Sequence, residues 1–151
     1  MDPWLRPIQL EGELVKLVPL QKSQKVDLVF AASDGKLWEL WYTTVPSPKT
    51  MDSYLDTALA EQALGKALPF AVINKKTNTI VGSTRYLNVD SKNKRVEIGA
   101  TWYAKKVQRT GINTECKYLL LKYAFENLNC IAVEFRTHFH NHASRNAILR
   151  L

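Results

Sequence analysis

The sequence predicts a mixed α/β domain built around one core. Two observations carry this. First, runs rich in β-branched and aromatic residues alternate with runs whose apolar residues recur at helical spacing. The last strand–helix–strand run, residues 95–138, has the layout of one βαβ unit. Second, 151 residues that are 46% hydrophobic suffice for one domain with a sizeable core, and that composition argues against disorder.

The elements follow in order. Residues 14–20 (LVKLVPL) suit a first strand, with Leu14, Val15, Leu17 and Val18 as its apolar positions. Residues 21–32 suit a short helix, and the aromatic-rich 36–43 a helical turn before Pro46 and Pro48 break the chain. Residues 52–64 repeat apolar and small residues at three and four, as a helix does. Residues 69–73 and 79–87 read as strands around an NKKTN hairpin loop. NVDSKNK, residues 88–94, reads as a polar loop leading into a strand over 95–103. A helix over 112–128, a strand over 131–137 and a closing helix over 141–151 complete the chain.

Lys plus Arg is 21 and Asp plus Glu 14, so the formal charge is +7. That attracts polyanions without choosing among them, and no run of five or six like charges marks a nucleic-acid arm. Two cysteines, Cys116 and Cys130, support neither a disulfide framework nor a zinc site. Neither a signal-peptide run nor a stretch of about 20 apolar residues is found, which leads us to expect a cytoplasmic protein with no membrane partner.

The stretch VQRTGINTEC, residues 107–116, joins the predicted strand 95–103 to the predicted helix. A helix starting near Ile112 has orphan N–H groups and partial positive charge at its first turn. Gly111 permits close approach of a ligand, and Arg109 adds a full charge. Together these suit an anion, most naturally a phosphate. Neither a Walker loop nor a G-x-G-x-x-G fingerprint is present. The plainer reading is a helix N-terminus capped by Thr or Asn beside a surface Arg.

The wider spacing adds a resemblance. Q-R-T-G-I-N, residues 108–113, resembles the pyrophosphate loop of the GNAT superfamily of acyl-CoA N-acyltransferases. EIGATWY resembles that family's fourth strand, and N-H-A-S-R-N-A-I, residues 141–148, its last cofactor-binding helix. LEGELVKLVPL resembles the first strand of the branch containing the ribosomal-protein N-terminal acetyltransferases. Asn113 departs from the family's Gly or Ala, but Asn tolerates unusual backbone angles.

The resemblance implies a GNAT-like fold: a mostly antiparallel sheet with a βαβ cofactor unit. It implies transfer of acetyl from acetyl-CoA to a primary amine, either a protein N-terminus or a small amine. The pyrophosphate would lie on Gln108, Arg109, Thr110, Gly111, Ile112, Asn113 and Thr114, and the pantetheine along Thr101, Trp102 and Tyr103. Asn141 would bond the pantetheine, and Ser144 is the candidate acid because the tyrosine of many relatives is here Ile148. Ser144 could equally be a first-turn serine satisfying backbone. Glu134 and Glu97 are candidate bases, Glu134 preferred; each could instead pair with Arg95 or Arg136. His138, His140 and His142 read as loop residues lining a cleft, with no metal site expected. Trp38, Trp41 and Tyr42 fit a core cluster or an acceptor wall, and Cys116 fits packing.

Relatives continue past this last helix with two more strands. Their absence leads us to expect a C-terminally shortened domain, with a homodimer partner covering the strand edge at 131–137 or weakened activity. Two alternatives stand beside the enzyme: a non-catalytic CoA-binding protein, and a nucleic-acid module resting only on the charge.

Overall fold

The computed structural model describes residues 4–39 and 45–135. Among these residues six strands form one sheet in the order of the chain: β1 (Leu10–Glu11), β2 (Val15–Pro19), β3 (Leu68–Asn74), β4 (Thr79–Asp90), β5 (Arg95–Tyr103) and β6 (Ala132–Phe135). Pairs from β1 to β5 are antiparallel; β5 and β6 are parallel. Three α-helices lie among the described residues: α1 (Lys25–Ser33), α2 (Met51–Ala63) and α3 (Gly111–Glu126). The βαβ unit expected over the last third is therefore β5–α3–β6.

β2, α2 and α3 bury the faces their sequences mark, whereas α1 leaves Val26 and Phe30 exposed. Val15 and Leu17 of β2 are fully buried, one on each side of Lys16. Met51, Leu55 and Ala58 form the buried stripe of α2. Ile112, Cys116, Leu120 and Ala124 do the same on α3 at intervals of four. The helices take opposite faces of the sheet. Tyr54 of α2 donates to Ser83 Oγ on β4 (3.4 Å), whereas Tyr86, three residues along, donates to the Leu120 carbonyl of α3 (2.5 Å). Glu115 ties α3 to the sheet, because its Oε1 accepts from the amides of Leu14 and Val15 at 2.8 and 2.9 Å.

One expectation is corrected. Residues 88–94 are not all loop: β4 runs on to Asp90, which pairs with Arg95. An extra β4 residue is absorbed between Leu87 and Asp90, with Asn88 at φ 47. Asp90 then accepts from the Asn93 amide (3.1 Å) and side chain (2.9 Å), closing a tight turn. The residues are polar because this end of the hairpin is wet, and main-chain pairing there requires no apolar side chain.

Candidate active site

β5 is regular from Arg95 to Gly99, then breaks step. Gly99 pairs with Arg85 but Trp102 pairs with Ser83, so β5 carries one extra residue here. Ala100 takes the left-handed conformation at φ 49, marking the bulge. Gly82 allows β4 to press close beyond it, since a Cβ there would collide with the Trp102 carbonyl oxygen. The described ladder between β5 and β6 ends at Ile98 with Phe135, before the bulge.

Thr101, Trp102 and Tyr103 follow, all anchored. Thr101 Oγ1 shares a 2.8 Å hydrogen bond with Thr84 Oγ1. Trp102 Nε1 donates to Tyr54 Oη (3.3 Å). Tyr103 is buried, which drives its hydroxyl pKa well up. Their side chains belong to the packing; what the strand can offer a ligand at these positions is backbone.

A short 3-10 turn, Lys105–Val107, leads to α3. Two bonds to the end of α1 hold it: Lys105 N–H to the Asp34 carbonyl (3.3 Å) and Lys106 N–H to Asp34 Oδ2 (2.8 Å). Gln108 Nε2 donates to the Tyr103 carbonyl (3.1 Å), fixing the loop to its strand. Arg109 adopts φ 62, so the left-handed turn falls on the arginine and not on Gly111. Thr110 is the N-cap: its hydroxyl accepts from the Ile112 amide at 3.3 Å and donates to the Val107 carbonyl.

Among the described residues, the amides of Arg109, Thr110 and Gly111 have no hydrogen-bond acceptor. Gly111 has a packing role as well, because a Cβ there would stand 3.0 Å from Leu14 Cδ1. Asn113 lies in the first turn of α3, with a buried Oδ1 that has no partner among the described residues; Thr114 beside it is exposed.

Glu97 and Glu134 are neighbours in the parallel β5–β6 register, hence on one face of the sheet. Glu97 is buried, and its Oε1 accepts from Asn88 Nδ2 at 2.7 Å. Glu134 is more open and meets Arg95 at 3.5 Å. Both lie on the α2 face, because Ile98 and Phe135 share the other face with Tyr86 and α3. Cys116 is fully buried and its thiol is pushed up to about 12 by desolvation, which suits packing and not nucleophilic chemistry. Ser144, Asn141, the three histidines, Trp41 and Tyr42 lie outside the described residues; Trp38 packs against the core.

A strand broken by a bulge thus leads into a turn whose free amides open a long helix. Residues 15–151 match the acetyltransferase (GNAT) domain. The chain belongs to that family. Among solved structures, a GCN5-related N-acetyltransferase from Brucella melitensis is 27% identical, at a TM-score of 0.85 over 98% of this chain and 68% of that one. RimL, the ribosomal L7/L12 alpha-N-protein acetyltransferase, shares the fold at 17% identity and a TM-score of 0.80, over 99% of this chain and 82% of that one. So does the microcin C7 self-immunity acetyltransferase MccE, solved with acetyl-CoA and AMP, at 19% identity and a TM-score of 0.77, over 92% and 78%. No curated protein matches the sequence. Among the described residues, no helix of this GNAT domain is long and apolar enough to cross a membrane.

Sequence reasoning missed two features of the site. It did not place the left-handed positions at Ala100 and Arg109, because neither residue type signals them. It also passed over Lys117, one turn beyond Asn113, which is only 6% exposed. Its place on α3 beside Cys116, three and seven positions before the buried Leu120 and Ala124, was the available signal.

Proposed function

We propose that this GNAT domain transfers an acetyl group from acetyl-CoA to a primary amine, of a protein N-terminus or a small molecule. The observation that carries the reading is the turn at residues 108–114: free amides at the start of a 16-residue helix, with a cation at Arg109. Those donors fit a diphosphate, and the polar side chain of Asn113 lies within the same turn. Gln108, Arg109, Thr110, Gly111, Ile112, Asn113 and Thr114 would hold it; the backbone of Thr101, Trp102 and Tyr103, with Asn141, would hold the pantetheine.

Acetyl-CoA, when bound, supplies an activated acyl group. The chain's own groups do the rest. A backbone N–H beyond the Ala100 bulge would polarise the acyl oxygen. Glu134 or Glu97, both on the α2 face, would take the proton the amine loses, directly or through one water. Ser144 would return a proton to the departing sulfur. One C–N bond forms, one C–S bond breaks, and the proton passes from nitrogen to sulfur.

The test is calorimetric titration with acetyl-CoA beside Arg109→Ala and Gly111→Val, followed by acetyl transfer to a panel of amines. Expected are binding to the native chain, loss of at least tenfold in each variant, and transfer abolished in Ser144→Ala or Glu134→Gln. Failure of the native chain to bind would overturn the reading. Binding without transfer to any amine would leave a CoA-binding protein.

A further inference from the structure

Lys117 is a buried amine that the proposed chemistry does not use. It is 6% exposed, and its Nζ sits 5.7 Å from the centre of the Phe135 ring. Among the described residues it meets no carboxylate. A cation removed from water without a counter-ion is costly to keep. The described groups around it offer none. On α3 its titratable neighbours are Glu115, whose carboxylate is engaged with the Leu14 and Val15 amides, and the neutral Cys116. From β6 comes Phe135, and the Tyr103 hydroxyl of β5 faces Cys116. Glu97 and Glu134 project from the opposite face of the sheet.

Its position narrows what the charge is for. Phe135 and Ile98 are the last described pair of the parallel ladder, and Lys117 lies against Phe135 on the α3 side. With the diphosphate at residues 108–114 and the pantetheine running back along β5 from Tyr103 towards Thr101, the sulfur end is directed to that same point. We infer that the Lys117 ammonium is the counter-charge for the sulfur of the acyl donor, stabilising the negative charge that collects there as the C–S bond breaks. The inference rests on the acetyl-CoA reading above. The electron pair of the broken bond goes to sulfur, the amine's proton goes to the base, and Lys117 keeps its own proton throughout. Burial lowers its pKa to about 8, so the charge is present at neutral pH and lost above it.

The experiment titrates the thiol of bound CoA by its ultraviolet thiolate absorbance, with desulfo-CoA as the blank, in native protein, Lys117→Met and Lys117→Arg. Thermal melting of the unliganded proteins runs alongside. A neighbouring cation lowers a thiol's pKa, so the bound thiol should ionise at about tenfold lower hydroxide concentration in native protein than in Lys117→Met. Lys117→Arg should restore the effect in part. Lys117→Met should also melt higher than native protein, which a residue kept for stability would not do. If CoA and desulfo-CoA bind but the thiol titrates alike in native protein and Lys117→Met, the inference fails while the cofactor reading stands. If neither ligand binds the native chain, both fall.

Discussion

Arg85 and Lys117 are two buried cations on opposite faces of one sheet, and they are treated differently. Arg85 of β4 is 8% exposed, and its guanidinium lies 5.3 Å from the centre of the Tyr54 ring and 4.0 Å from Glu61 Oε2. Both partners come from α2, so the cation helps dock that helix. Tyr54 extends the same cluster through Trp102 and Ser83, and Ser83 Oγ donates to the Phe70 carbonyl at 2.8 Å. Lys117 has a ring but no carboxylate among the described residues. A guanidinium spreads its charge and is weakly hydrated, whereas an ammonium is compact and holds its water strongly. Burying the second without a counter-ion sacrifices stability, and the sacrifice falls beside the proposed sulfur position. One cation serves the fold; the other is held in readiness for a charge the reaction creates.

The largest expected effect tests this contrast directly. Lys117→Met should stabilise the protein at neutral pH by on the order of 3 kcal/mol, the value of a shift from 10.5 to about 8. Denaturant unfolding measures it, and a destabilised variant would erase the distinction between the two cations.

The pH dependence of the native protein carries the same energy. The folded pKa lies below the unfolded one, so between about 8 and 10.5 the unfolded chain binds more protons. The penalty is therefore full below pH 8 and relieved as pH rises through that window. Lys117→Met should lack this rise when unfolding is followed across the same range.

Tyr54→Leu comes next. Losing the ring under Arg85 and the hydrogen bond from Trp102 should cost about 2 kcal/mol in a denaturant melt. A neutral outcome would show that the guanidinium draws its support elsewhere.

Glu61→Gln should be smaller, about 0.5 kcal/mol, because the Glu61 side chain is 42% exposed and its 4.0 Å approach is screened by water. A large loss would mean that the carboxylate, and not the ring, compensates Arg85.

Much of the fold is legible in the chain. The strand 95–103 begins and ends where its β-branched and aromatic run does, and α3 starts one residue before the expected Ile112. β4 outran its apolar stretch because backbone pairing with Arg95 continues where the side chains are polar. The turn into α3 was legible from Gly111 beside a helical pattern, yet its left-handed residue is Arg109, between the 3-10 segment and α3.

The sequence by itself determined the order of elements, the βαβ unit and the residues of the turn, because local periodicity and capping chemistry act over a few positions. Only the tertiary structure decided that Glu97 and Glu134 share a face, that Ala100 carries the bulge, and that Lys117 is shut away from water. Register, bulges and burial depend on what packs against an element from distant parts of the chain. A lysine on a helix is wet or dry according to that neighbour, and its own letter does not say which.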